Sequence, residues 1–522
     1  MRTIIAIFLV GLLWLMVIPM WHTPDEQAHF GQVAFMAEMG RMAKGQELDL
    51  TSEIYISEVL LGTARDELGN NKFTFHPDYK LNYTEDTTGI YEASIAALAK
   101  RVDRNVFVKS EATRYPPLYY TPASILYRLL GNQDLFVRVY AVRFWSLLLF
   151  IVNIYIVFRL GTTLFPTGSI YPFLLTVLVG LHPMMVFANI GVTSDTLGNL
   201  LFSMFLFLCV HLIVQGISVK KIIFLCLTIL LSLYSKPQFI VMVPLSVVLA
   251  AILLFPRLTK RTIKRNVFIM IVISLLSMGI LLFLRTGPAS TIYHVAQKFD
   301  FASFMKFTRE YTFRHTIGEV LPWYWGIYDW LGVTYPRTVH RIINRILLVC
   351  AVGFIVWCLR IIRYGLHKDP RIQSVLFLII TQVVFYAGIV TYDWLSWYTT
   401  TYPLGVQGRY LFPTMSIQMT AIIIGASALI SSGWRWRPVL IGTLPIFMIG
   451  LNIVALFTVI RTYYDYTSLS TLILRVSQYK PWFAKEFFFV AAGFATIVSV
   501  GLFIIWPLVK RFNKKDMWPS LS

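Results

Sequence analysis

The chain has 522 residues, of which 57% are hydrophobic, 15% aromatic and only 14% charged, against roughly 25% charged in soluble domains. With a mean hydropathy of +0.66 and repeated apolar runs of ~18 residues or more, long enough to cross a bilayer, this is not a water-soluble enzyme. The formal net charge of +20, from 46 Lys+Arg and 26 Asp+Glu, does not point to nucleic acid, because the basic residues cluster in short loops between apolar runs, where the positive-inside rule puts them.

The expected fold class is an all-α polytopic membrane protein. About twelve spans are predicted, near 4–21, 139–160, 170–190, 195–215, 221–235, 238–256, 266–284, 342–362, 374–393, 410–431, 438–460 and 487–508. The first is read as a retained helix, since Trp21-His22-Thr23-Pro24 is a poor cleavage site. The fifth span is short, and only Ser235-Lys236-Pro237 separates it from the sixth. Such a Pro-interrupted pair is where non-helical backbone can line a cavity. Cys209, Cys226, Cys350 and Cys358 all fall inside apolar runs and read as small hydrophobes, with no disulfide framework or metal spacing.

Alternate short loops carry Lys220-Lys221, Arg257 to Arg265, Arg360 to Arg371, and Arg435 with Arg437, followed by the basic tail 509–522. These are expected to be cytoplasmic. The intervening loops then lie outside. They include a large first loop, 22–138, with 12 Lys+Arg against 16 Asp+Glu, a net −4, and an aromatic, amphipathic segment at 285–341. Every unusual polar cluster falls on that expected outer side, which argues for an extracytoplasmic site on a membrane-embedded domain spanning 1–508.

Thr23-Pro24-Asp25-Glu26 reads as a helix start, with Thr23 as N-cap and Glu26 closing a capping box. Asp25 is not needed for the box. His29 lies four residues on, on the same helical face, opposite an apolar stripe of Phe30, Val33, Ala34 and Ala37. The expected element is an interfacial amphipathic helix presenting Asp25 and His29 either as metal ligands or as a base and its orienter. Arg114-Tyr115-Pro116-Pro117-Leu118-Tyr119-Tyr120 reads as a membrane-surface turn, with Tyr119 and Tyr120 in the aromatic belt, or as a groove wall with Arg114 near a phosphate. Asp195, at the mouth of the fourth span behind the potential cap Ser194, has Lys236 at the same level as a candidate partner. Arg409, in Gln407-Gly408-Arg409-Tyr410, could snorkel or pair with phosphate oxygens. Trp323 to Trp330 is expected at the outer surface, as interface anchor or sugar platform. No Walker motif, dinucleotide fingerprint or serine elbow is present.

Pro24-Asp25-Glu26 with His29, Pro116-Pro117-Leu118-Tyr119-Tyr120, Ser194-Asp195 with Asn199, Lys236-Pro237 and Gln407-Gly408-Arg409-Tyr410-Leu411-Phe412-Pro413 occur in the order PDE…H, PPLYY, (S/P)D.L.N, KP, QGRYLxP. This order, over about residues 20–415, resembles an uncharacterised family of bacterial multispanning proteins that belongs with the GT-C glycosyltransferases. Gly326-Ile327-Tyr328-Asp329-Trp330 departs from that family's usual Phe-Gly-Trp. The resemblance implies a GT-C-like bundle with the acid after the first span at the reaction centre. Asp25 would activate the acceptor as base or through a divalent metal (Mg or Mn), Glu26 or His29 would assist, and Arg409, Lys236 and Arg114 would hold the donor phosphate. Asp195, Tyr119 and Gln407 would support them. It implies an inverting transfer from a polyprenyl-phosphate-linked sugar to a cell-envelope glycan acceptor at the outer face of the cell membrane. The rival readings are a lipid-linked glycan flippase or transporter, which predicts charges spread through the membrane depth, and a polysaccharide polymerase or ligase using a lipid-diphosphate donor.

Overall fold

The computed structural model describes residues 1–45, 47–67, 69–81, 85–101, 103–111, 115–254, 299–430, 434 and 437–511. Among these, seven helices are long and apolar enough to cross a membrane: Leu135–Leu164, Asp195–Gln215, Arg337–Tyr364, Pro370–Thr400, Gly408–Ala428, Val439–Tyr463 and Glu486–Lys510. An eighth is formed if Tyr171–Gly180 and Pro183–Ile190, bent by 57° at their junction, count as one span. The bend has a local cause. Pro183 follows His182, and the residue before a proline is pushed out of the helical region; His182 is extended, at φ −63° and ψ 116°. Among the described residues the predicted count of twelve is not reached. Arg2–Val17 and Pro237–Leu253 are apolar helices shorter than a full span, and the predicted span 266–284 lies outside the described residues.

Arg2–Val17 packs against Leu135–Leu164, the bent pair 171–190 and Glu486–Lys510, although it is shorter than a full span. Trp14 donates its indole N–H to Asn452 Oδ1 at 3.0 Å, and Asn452 donates in turn to the Leu181 carbonyl at 2.9 Å, which ties the first helix to Val439–Tyr463 and to the bend. Its last carbonyls need partners outside the helix. The Tyr464 hydroxyl donates to the Val17 carbonyl at 2.6 Å, and the buried Lys480 Nζ donates to the Met16 carbonyl. Helices Arg337–Tyr364 and Gly408–Ala428 cross at Gly353 and Gly425, where a Cβ on either glycine would fall on backbone of the other helix.

Residues 18–134 hold four short helices, Glu26–Met39, Ser52–Leu61, Glu85–Arg101 and Tyr120–Leu129. They also hold an antiparallel ribbon of β1 Leu50–Thr51 with β2 Phe107–Lys109. Arg138, at the start of Leu135–Leu164, reaches into this unit through a fully buried pair with Glu53 and a 2.6 Å bond to the Tyr127 hydroxyl. The unit overturns two expectations. Glu26–Met39 is not an amphipathic helix lying on lipid, because nearly every residue from Glu26 to Ala37, Gln27 and Gln32 included, is buried. Tyr119 and Tyr120 are likewise fully buried rather than in an aromatic belt. The neighbouring short helices cover faces that hydropathy alone leaves for the membrane surface.

The aromatic segment is corrected in the same sense. Residues 301–325 form one helical stretch in which α and π turns alternate. It is followed by a tight hairpin of β3 Ile327–Tyr328 and β4 Val333–Thr334. Tyr324, Trp325 and Tyr328 are buried, with Tyr328 edge-on to Phe187 and tilted against Trp14. This hairpin enters the core instead of anchoring at a surface.

Gly353→Val, which forces a branched side chain into the backbone crossing, should lower stability by about 1–3 kcal/mol, the usual range for overpacking. Gly388→Val, at an exposed helical glycine with nothing near its missing Cβ, should leave stability unchanged. Thermal challenge followed by size-exclusion chromatography of both variants reads the difference.

Candidate functional site

The two adjacent acids that follow the first helix have opposite surroundings. Glu26 is fully buried and faces Arg143 of Leu135–Leu164, with Nε to Oε1 at 2.7 Å and Nη2 to Oε2 at 2.6 Å. Backbone N–H groups of Trp21 and Val192 complete its shell at 3.0 and 3.3 Å. Arg143 also donates to the carbonyls of Ile18 and Pro19 at 2.8 and 2.7 Å. All of the pair's charge is spent inside the protein, so Glu26 has no hand free for a substrate. The expected capping box is not formed either. The N-cap position is Asp25, in the left-handed region at φ 56° and ψ 20°, with no side-chain cap bond. Asp is among the few L-residues that visit this region readily. The turn sends its carboxylate away from the helix that Glu26 begins.

That carboxylate is held between two guanidinium groups. Arg409 Nη2 lies 2.7 Å from Oδ2 and Arg65 Nη1 lies 3.2 Å from Oδ1. Both arginine side chains are at most 9% exposed, while the Asp25 side chain remains 43% exposed. Burial by itself would raise the Asp25 pKa; Arg409 and Arg65 outweigh it and hold the carboxyl well below the usual carboxylate range. Arg409 is aimed by a 3-10 turn, Gly408–Thr414, with Gln407 at its N-cap position. Gly408 permits the turn because a Cβ there would fall on the Tyr324 backbone.

A second ion pair lies beside the first. Lys236, buried at the break between Val219–Leu233 and the 3-10 turn Pro237–Val241, pairs with Asp195 and stands 4.3 Å above the Tyr115 ring. The candidate partnership between these two residues is therefore formed. His29 is buried between Tyr115 and Tyr120, both nearly parallel to its ring. Its Nδ1 is 2.7 Å from the Tyr120 hydroxyl and its Nε2 is 3.5 Å from Thr193 Oγ1. Burial, then the nearby Lys236 charge, lowers the His29 pKa to about 3. His29 is thus a neutral ring fixed by a tyrosine. It shares the neighbourhood of Asp25, and no hydrogen bond joins the two side chains. Tyr119 bonds Ser146 at 2.7 Å and accepts from the Thr193 N–H at 3.2 Å, which sets the loop that carries Asp195. Arg114 lies outside the described residues. Among the described residues, no three His, Cys, Asp or Glu side chains converge as metal ligands.

Asp25, Gln407 and Arg409 line a cavity of about 200 Å³ together with His22, Asp329 and Trp330. Three of the site's groups escape sequence reasoning. Arg65 sits among many charges in a polar segment, and nothing local marks it as the partner of Asp25; it also pairs with Glu111. Asp329 is fully buried at the tip of the β3–β4 hairpin, and burial raises its pKa to about 8. His22, packed edge-on to Phe73 and Tyr463, is lowered to about 3 by burial and then by Arg143 and Lys72. The one available signal for Asp329 was an acid inside an aromatic run.

The family model of the predicted membrane protein family DUF2142 matches residues 8–417 of this chain. The chain belongs to that family. No curated protein matches it.

Glu26→Gln leaves the Arg143 guanidinium buried without its counter-charge and should destabilise the protein by about 3–5 kcal/mol. Asp25→Asn acts at a carboxylate that is still 43% exposed and leaves Arg65 its pair with Glu111, so it should lose less stability than Glu26→Gln. Tryptophan-fluorescence melts of the two purified variants give the comparison, and equal losses would contradict this division of labour.

Proposed function

We propose that the protein is an inverting glycosyltransferase of GT-C type, moving a sugar from a polyprenyl-phosphate donor to a cell-envelope glycan on the extracytoplasmic side. The proposed topology has about twelve spans, cytoplasmic termini and the 22–138 segment outside. It is supported by the alternation of Lys- and Arg-rich loops. The observation that carries the functional reading is the Asp25 carboxylate, clamped between Arg409 and Arg65 on a cavity and flanked by the Lys236–Asp195 pair.

In the reaction the acceptor hydroxyl attacks the anomeric carbon, and the bond from that carbon to the phosphate oxygen breaks. The hydroxyl proton passes to Asp25, and the polyprenyl phosphate leaves with the bonding pair. A single displacement inverts the anomeric centre. The developing phosphate charge needs fixed positive charge nearby, and Arg409 and Lys236 supply it. Arg409 has a second use. While both arginines hold it, Asp25 is too weak a base. A donor phosphate that draws Arg409 away restores basicity to Asp25 beside the acceptor. Glu26 is assigned no chemical part, and His29 is assigned to positioning through Tyr120.

The test is transfer by the purified protein in lipid, offered a panel of polyprenyl-monophosphate sugars with envelope glycan acceptors, with and without chelator. Asp25→Asn should lower turnover at least ~100-fold, as expected for loss of a general base. Arg409→Lys, which replaces a paired contact by a point charge, should raise the donor KM about tenfold. A fully active Asp25→Asn protein would sink the assignment. Absence of transfer across the panel, with labelled lipid moving between leaflets, would replace it by a flippase.

A further inference from the structure

The residues lining the cavity beside Asp25 carry a concentration of buried polar atoms that have no hydrogen-bond partner among the described residues. Both carboxyl oxygens of Asp329, both ring nitrogens of His22, Trp330 Nε1, Thr23 Oγ1 and Arg409 Nε are all in this condition, and all five residues line the cavity. His22 and Asp329 approach to 3.8 Å, beyond hydrogen-bond reach. Leaving such groups unsatisfied is costly, so a cluster of them on one cavity points to a ligand that completes their bonds.

The backbone makes the same argument independently. Asp329, Trp330 and Leu331 are consecutive and all left-handed, at φ 50°, 49° and 67°. None is glycine, and strain of this kind persists where the surroundings over-determine it, often at binding sites. The short β3–β4 hairpin holds this turn. The Asp329 N–H is fixed by the Tyr463 hydroxyl at 3.0 Å, and the Trp330 carbonyl by the Phe75 N–H at 3.1 Å. Asp329 is thereby fixed on the wall of the cavity, and its carboxyl makes no hydrogen bond among the described residues.

We propose that Asp329, His22 and Trp330 form a recognition subsite for the hydroxyl groups of a neutral sugar ring on the same cavity as Asp25. A protonated carboxyl offers one donor and an acceptor, the neutral imidazole offers one of each, and the indole N–H offers a donor. That mixture suits vicinal hydroxyls, each of which both donates and accepts. It does not suit a phosphate, which only accepts, or a metal ion, which needs a deprotonated carboxylate as ligand. A void of ~150 Å³ takes up benzene, so a cavity of about 200 Å³ admits a six-membered ring with its substituents. The assignment of this ring as the transferred sugar rests on the transferase reading; the binding itself does not.

The experiment measures binding, apart from turnover. The full-length protein in nanodiscs is titrated with methyl glycosides of glucose, galactose, mannose, rhamnose and N-acetylglucosamine, and tryptophan fluorescence reports occupancy. At least one glycoside should bind. Asp329→Ala should weaken it about tenfold, the effect of one lost hydrogen bond of ~1.4 kcal/mol. Asp329→Asn keeps a donor and an acceptor and tolerates the left-handed backbone, so it should stay within about threefold of the parent affinity. His22→Phe, which keeps the ring between Phe73 and Tyr463 and removes both nitrogens, should also weaken binding about tenfold, and it carries the test if Asp329→Ala fails to fold. Parent-like binding by a folded Asp329→Ala or by His22→Phe overturns the subsite. So does an Asp329→Asn protein as weak as Asp329→Ala, or a parent protein that binds none of the glycosides. Glycoside binding without transfer would count against the transferase reading alone, and transfer without glycoside binding against the subsite alone.

Discussion

The pair between Glu26 and Arg143 is the contact on which the site's geometry depends. One guanidinium satisfies the carbonyls of Ile18 and Pro19, just past the end of the first helix, and both oxygens of the acid that opens the next helix. The same acid accepts from Val192, in the loop that leads to Asp195. Three pieces of chain distant in sequence, 18–26, Arg143 and Val192, therefore meet at one buried charge pair. A buried pair is not an efficient source of stability, because desolvation offsets much of the attraction. Its value lies in what a mispaired alternative would cost: any other arrangement leaves a charge in the core. The position of Asp25, one residue earlier, follows from this fixed point.

The two adjacent acids then face opposite surroundings. Residues next to each other on a helix point about 100° apart, and the left-handed turn at Asp25 widens the separation further. Glu26 goes inward to Arg143, and Asp25 goes to the cavity and two arginines. His29, a turn along, is satisfied by Tyr120 and packed between two aromatic rings. Its contribution is shape and a fixed neutral surface against which the Lys236 side of the site is packed.

What the sequence made legible here was depth, and what it left hidden was direction around the bundle. Asp195 and Lys236 stood out because each interrupts apolar surroundings, and the spans between them return the chain to one level; their pairing was foreseeable. Arg409 was visible for the same reason. Glu26 and Arg143 are 117 residues apart, and no periodicity connects them. Glu26–Met39 looked amphipathic because its apolar stripe is real, yet Gln27, Gln32 and the backbone near them are covered by the rest of 18–134. Hydropathy weighs a residue's own transfer from water and is blind to a neighbouring helix that arrives from elsewhere. Arg65 was hidden by abundance, one charge among many in a polar stretch. Asp329 was hidden by its aromatic neighbours, which read as a membrane anchor until the hairpin turns them into the core.

The shared use of Arg409 imposes an order on the proposed reaction. In the unloaded site Asp25 is saturated by guanidinium groups, so water in the cavity meets an ionised but feeble base. A donor phosphate competes for Arg409 with a larger charge and with oxygens that match the guanidinium fork. Only then does Asp25 regain affinity for a proton, at the moment when an anomeric carbon is present to accept the oxygen that gives the proton up. Once Asp25 is protonated it no longer attracts Arg409, which stays with the leaving phosphate through the step in which that phosphate gains charge. Loss of the lipid product and of the proton restores the starting pair. A single arginine bridging base and donor would in this way suppress hydrolysis before the donor arrives and stabilise the leaving group after the bond breaks. The fully buried Glu26–Arg143 pair makes this possible by holding Asp25 in place while Arg409 exchanges partners.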